Sequence, residues 1–185
     1  IESCKKISYL FPRAHAVAYV MMAFRIAWFK VYHPLAFYAA YFSIRAKAFD
    51  LRIMTGDLNT QLKEFNRIKA LDRGASPKEK DLMSALEVSM EMYQRGYRFI
   101  NVDIQHSGAR RFSIKDGALL PPFLAIDSLG ETVVDAIEEE REAKPFTSLK
   151  DLQRRCKVSA TIIETMKELK CCGDLPEDEQ MSLFG

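Results

Sequence analysis

Arg13 and His15, with Tyr19 one turn further on, are the residues best placed by type and spacing to do chemistry. Pro12 fits the first turn of a helix, where its missing N–H costs nothing. A helix opening there offers free backbone amides and the positive end of its dipole. A guanidinium and an imidazole beside them would make a phosphate site. Tyr19 would pack its ring against a base or sugar. The competing structural reading of His15 is a buried, satisfied histidine at a helix start. No Gly or Pro interrupts the chain from Arg13 to His33, and Pro34 ends the run. A 3.6-residue period gives this helix three faces. Ala16, Val20, Ala23 and Ala27 form a small-residue stripe, and Val17, Phe24, Trp28 and Val31 a bulky one. His15, Tyr19, Met22, Ile26, Lys30 and His33 form a mixed line with Arg25 at its border. A helix apolar on most sides is expected to be buried. A membrane span would place Arg25 near its middle at a cost of about 2.5–3.5 kcal/mol, so no membrane partner is expected.

A second constellation lies at Ile126-Asp127-Ser128-Leu129-Gly130, followed by Thr132–Ile137. It looks like a helix-hairpin-helix, whose tight turn points backbone amides at a DNA phosphate. Gly130 matches the second turn glycine and Ser128 stands at the first. Glu131 puts a carboxylate where the phosphate would approach. Cys156-Lys157-Val158-Ser159 forms a more degenerate second hairpin, which would complete a tandem pair. Ser128, Leu129, Gly130, Lys157 and Ser159 are therefore the candidate DNA contacts. These residues leave standing a pair of structural hairpins that touch no DNA.

The third feature is Gln180-Met181-Ser182-Leu183-Phe184, after the acidic run Pro176–Glu179. An extended peptide of this order places a polar anchor and two apolar plugs in a preformed pocket. It resembles the bacterial sliding-clamp-binding motif, with Met181 replacing the commoner Leu.

Composition sets the frame. The 185 residues are 48% hydrophobic and 28% charged, which suits globular units rather than disorder. The net charge of +2 is uninformative, but residues 1–50 carry seven basic side chains against Glu2 and Asp50. That bias is compatible with nucleic acid or nucleotide phosphate, and equally with a solvated positive surface. Cys4, Cys156, Cys171 and Cys172 include no C-x-x-C pair, so no metal site is expected from them. Reduced thiols and the lack of a signal peptide predict a cytoplasmic location. The first residue, Ile1, suggests a piece of a longer chain.

The positioning elements are mostly helical. Leu35–Ile44 reads as a helix bent from the first by Pro34, Asp50–Asp57 as a connector, and Leu58–Leu71 as an amphipathic helix. Ser76-Pro77-Lys78-Glu79 predicts a capping box opening a helix that runs to Gln94. Alternating Ile100, Val102 and Ile104 predict a strand over Phe99–Ile104. The Asp116-Gly117 turn predicts a hairpin between Phe112–Ile114 and Ala118–Leu120. Short helices are expected over Thr132–Ala143, Ser148–Arg155 and Ser159–Lys170, with Glu177–Gly185 as a flexible tail.

Phe11-Pro12-Arg13-Ala14-His15-Ala16-Val17-Ala18-Tyr19, Arg25–Lys30 and His33-Pro34 resemble the fingers motif of the bacterial C-family replicative polymerases. The similarity is closest to the PolC-type branch, the DNA polymerase III alpha subunit of low-GC Gram-positive bacteria. Ala75–Lys80, Pro121-Pro122-Phe123, the Ser128–Gly130 hairpin and the Gln180–Phe184 tail follow in that family's order. The resemblance implies a mainly α fold with a small β element (α+β). Residues 1–96 would be the C-terminal part of the fingers and 97–121 a small β connector. Residues 122–176 would be a tandem helix-hairpin-helix domain and 177–185 a clamp-binding tail. It implies nucleotide contacts from Arg13, His15, Tyr19 and Arg25. The implied partners are a DNA primer-template, deoxynucleoside triphosphates, the sliding clamp and the rest of the polymerase chain. The family's two-metal chemistry implies Mg2+ for the full polymerase. No Asp-x-Asp pair occurs here, Asp103 and Asp116 standing apart in sequence. No catalytic or metal-binding residue is therefore expected in this chain, which alone should be inactive. Two alternatives stand beside it: a stand-alone helix-hairpin-helix adaptor that binds DNA and the clamp, and a membrane-associated protein with Ala14–Ile44 as a helical hairpin.

Overall fold

The computed structural model describes residues 13–178, with side chains from residue 15 onward. The described elements run α1 (Arg13–Tyr32), α2 (Pro34–Ile44), α3 (Leu51–Met54), α4 (Leu58–Leu71), α5 (Pro77–Gln94), β1 (Ser113–Lys115), β2 (Ala118–Leu120), α6 (Glu131–Ala143), α7 (Leu149–Cys156) and α8 (Ala160–Glu168). A mainly α fold with one small β element is therefore observed.

Local chemistry sets most boundaries. Asp57 accepts from the Thr60 amide at 2.8 Å and opens α4. Ser76 and Glu79 close the predicted capping box at the start of α5. Asp116 (φ 51°) and Gly117 (φ 74°) both take left-handed geometry and join the antiparallel strands, with Ile114 opposite Leu119. The expected connector after Asp50 contains the one-turn helix α3, because the Asp50 carboxylate accepts from the Ile53 amide at 3.0 Å.

The predicted strand over Phe99–Ile104 is reduced to a single parallel bridge between Phe99 and Leu119. Asn101 breaks the ladder: its side-chain oxygen accepts from the Val102 amide, and its amide group donates to the Leu169 carbonyl. The Ile104 amide then bonds Cys171 at 3.0 Å. The segment thus clips onto the end of α8 instead of extending the sheet.

Two cores result. Tyr38, Phe42, Met54, Ile68, Leu86, Met92, Phe99 and Leu119 fill the first. Phe123, Ile126, Leu129, Val134, Ile137, Leu152, Val158, Ile163 and Met166 build the second. Phe49 packs against both.

Helix α1 departs from the expectation of burial. Every residue from His15 to Phe29 is exposed, including the Ala16–Ala27 stripe; Phe24 is 71% exposed. Among the described residues, the contacts that tie it down are at its C-terminal end. Lys30 pairs with Glu91 at 2.6 Å, and Arg95 donates to the Lys30 carbonyl at 3.1 Å. Its apolar periodicity reflects an appetite for burial that the described residues do not satisfy.

Candidate nucleic-acid interface

The first hairpin turns on Ser128, whose φ of 77° is the left-handed geometry usually left to glycine. Leu129 supplies packing rather than surface: its side chain is buried and its amide donates to the Ile126 carbonyl at 3.2 Å. Gly130 is the N-cap of α6 and carries no side-chain cap. A Cβ there would meet nothing within 4 Å, so open space lies over this turn. Glu131 borders it and pairs with Arg110 at 2.6 Å. Arg110 also grips Asp135 through both Nε (2.9 Å) and Nη2 (2.5 Å), holding the Asp135 carboxyl below its usual range. The first hairpin thus carries two carboxylates to one guanidinium.

The second hairpin repeats the backbone with different charge. Lys157 sits at φ 53°, exposed, with no ion-pair partner among the described residues. Val158 is buried. Ser159 caps α8 by accepting from the Ile162 amide at 3.3 Å. Next along the chain, Ala160 and Thr161 are exposed and uncharged.

A buried ion pair braces the two hairpins. Asp151, only 5% exposed, takes Arg155 at 3.2 Å and Arg154 at 2.8 Å, and accepts from the Thr147 amide at 3.3 Å. Burial favours the neutral acid, but the hydrogen bonds from Arg154 and Arg155 outweigh it and hold the carboxyl low. Ser148 caps α7, accepting from the Asp151 amide at 3.0 Å. Arg155 crosses to α6, reaching Glu140 at 3.0 Å and the Lys144 carbonyl at 2.9 Å, and lies over the Phe146 ring.

The expected flexible tail is held at its root. The Leu149 and Lys150 amides donate to the Pro176 and Glu177 carbonyls at 2.9 and 3.2 Å. These are among the opening amides of α7, which have no partner inside the helix. Gln180–Phe184, the clamp motif, lies outside the described residues.

At the other end, Arg13 opens α1 and its side chain lies outside the described part. His15 is exposed rather than buried, and its ring meets Tyr19 edge-on with centroids 4.5 Å apart. Arg25 is ten residues beyond His15, roughly 15 Å along the axis, so the structure groups His15 with Tyr19 and not with Arg25. Lys30, on the same line, is neutralised by Glu91.

Asp103 is not isolated in space, since it meets Lys115 at 2.9 Å and His106 at 2.8 Å. Among the described residues, no three His, Cys, Asp or Glu side chains converge as metal ligands. Burial pushes the Cys171 thiol up to about 12 and the Cys156 thiol to about 11, so both are protonated and inert at neutral pH. No helix among the described residues is long and apolar enough to cross a membrane.

Sequence reasoning missed Arg110, Arg155 and the Pro176–Asp178 contact. The i,i+4 spacing of Asp151 and Arg155 was a usable signal; nothing local marks Arg110, 25 residues from Asp135.

Comparison with known proteins agrees with this geometry. The helix-hairpin-helix motif family matches residues 96–181, spanning both hairpins. Over all of its length the chain is 50% identical to DNA polymerase III PolC-type of Caldanaerobacter subterraneus subsp. tengcongensis. It is 46% identical to DNA polymerase III PolC-type of Streptococcus pyogenes serotype M12. The chain covers 13% of each relative's length.

Proposed function

This chain belongs with PolC-type DNA polymerase III, matching one segment of it from end to end, and from that premise we propose that it supplies such a polymerase with a grip on duplex DNA, nucleotide contacts and a tether to the sliding clamp. The observation that carries the DNA reading is the tandem pair of left-handed turns, at Ser128 and Lys157, each leading into a helix start with exposed residues. Amides at such starts hold a phosphate without reading sequence. The second hairpin carries the main contact, because Lys157 has no ion-pair partner among the described residues while Glu131 repels phosphate at the first.

Arg13, His15, Tyr19 and Arg25 form the nucleotide side. Arg13 and His15 would neutralise triphosphate charge, and the His15–Tyr19 ring pair would face base or sugar. The bare apolar faces of α1 would be covered by the rest of the polymerase, and its place of work would be the cytoplasm. Gln180–Phe184 would dock on the clamp. Nucleotidyl transfer needs carboxylates converging on Mg2+, and Asp103, engaged with Lys115 and His106, does not fit that role. No step of transfer is assigned to this chain.

Primer extension is the direct test. The 185-residue chain should bind a labelled primer-template yet add no nucleotide; measurable extension would overturn the assignment. In the full polymerase, Arg13→Ala should raise nucleotide KM or lower kcat, and unchanged kinetics would leave Arg13 a structural residue. A Pro176–Gly185 peptide should bind a bacterial clamp, and Leu183→Ala with Phe184→Ala should abolish that binding.

A further inference from the structure

We propose that Pro176–Asp178 is a clasp that fixes the root of the clamp-binding segment to the second hairpin, so that the sliding clamp is held at a set position relative to DNA gripped there. The proposal rests on reading Gln180–Phe184 as the clamp motif. Its own support is separate. The chain reverses at Gly173 (φ 58°), and Leu175 packs against the second core. The Pro176 and Glu177 carbonyls then satisfy the Leu149 and Lys150 amides. Glu177 pairs with Lys167 and Asp178 with Lys150, so one acidic side chain is held from α8 and the other from α7. Ion pairs as exposed as Lys150–Asp178 hold little by themselves. The backbone bonds and Leu175 do the holding, and the charges set the direction in which the chain leaves.

Two consequences follow. First, the start of α7 is occupied by the chain itself, which leaves the start of α8, beside Lys157 and Ser159, for a DNA phosphate. Second, only Glu179 separates the clasped Asp178 from Gln180, and one residue spans at most about 3.6 Å. A tether that short confines its motif to a small volume, which raises the effective concentration of a clamp on the same DNA and limits its orientation.

The test uses the full polymerase with twelve Gly/Ser residues inserted directly after the exposed Asp178. Binding to free clamp should stay within about twofold of wild type, while affinity for clamp already loaded on primer-template should fall roughly tenfold. An insertion that leaves both affinities unchanged would overturn the clasp. Should Leu183→Ala with Phe184→Ala leave free-clamp binding intact, the clamp motif itself is misread and the proposal falls with it. Hydrogen exchange on the 185-residue chain tests the clasp without any clamp. The Leu149 and Lys150 amides should exchange far more slowly than other helix-opening amides, such as those of Ala160 and Thr161. Equal rates would overturn the clasp even where the clamp binds.

Discussion

Ser128 and Lys157 hold equivalent places in their turns, both in left-handed geometry, yet Glu131 follows the first turn and Ala160 the second. Arg110 spends its guanidinium on Glu131 and Asp135 at the first hairpin; at the second, Lys157 is left facing solvent. The motif glycine, Gly130, lies on the acidic side. Backbone geometry and charge therefore point to different hairpins. For a phosphate ligand charge decides, because both turns present amides and the second alone adds a cation with no carboxylate on it among the described residues.

The largest way to break the comparison is to remove the brace beneath the second hairpin. Asp151→Ala takes one of two carboxylates from the half-buried Arg155, Glu140 remaining, and strips Arg154 and the Thr147 amide of their acceptor; it should cost about 2 kcal/mol of stability, read by denaturant unfolding. Its pH dependence has a definite sign. The folded Asp151 carboxyl is held low, so its contribution is complete above the unfolded value of about 3.9 and disappears as pH falls through the folded value. The stability gap between wild type and Asp151→Asn should therefore shrink below about pH 4.

Next in size, Lys157→Glu should weaken duplex binding by about tenfold at low salt, whatever the sequence. Glu131→Lys should leave binding unchanged or improve it. Ser159→Ala removes the cap of α8 and should cost about 1 kcal/mol. Arg110→Ala, which breaks exposed pairs, should change the unfolding midpoint least of these variants and leave DNA binding at the second hairpin intact.

What could be read from sequence was local. Ser76–Glu79, Asp116-Gly117, Ser148 and Ser159 signal their own caps and turns, because each bond closes within a few residues. The hairpin positions at Gly130 and Ser159 were legible for the same reason. Asn101 was not: its partner, the Leu169 carbonyl, lies 68 residues away, and that bond turns an alternating segment away from the sheet. Arg110 and the Pro176–Asp178 contact are likewise long-range. The periodicity of α1 was legible, but periodicity states only that a helix has apolar faces, not whether a given stretch of chain covers them. Phe24 and Trp28 are exposed here, and among the described residues Lys30, near the helix end, pairs with Glu91.

The salt dependence of duplex binding tests the central claim most directly. With log affinity plotted against log salt concentration, Lys157→Gln in the 185-residue chain should flatten the slope by about one unit, while Glu131→Gln should not flatten it. A slope unchanged by Lys157→Gln but altered by Glu131→Gln would place the DNA on the first hairpin and contradict the account.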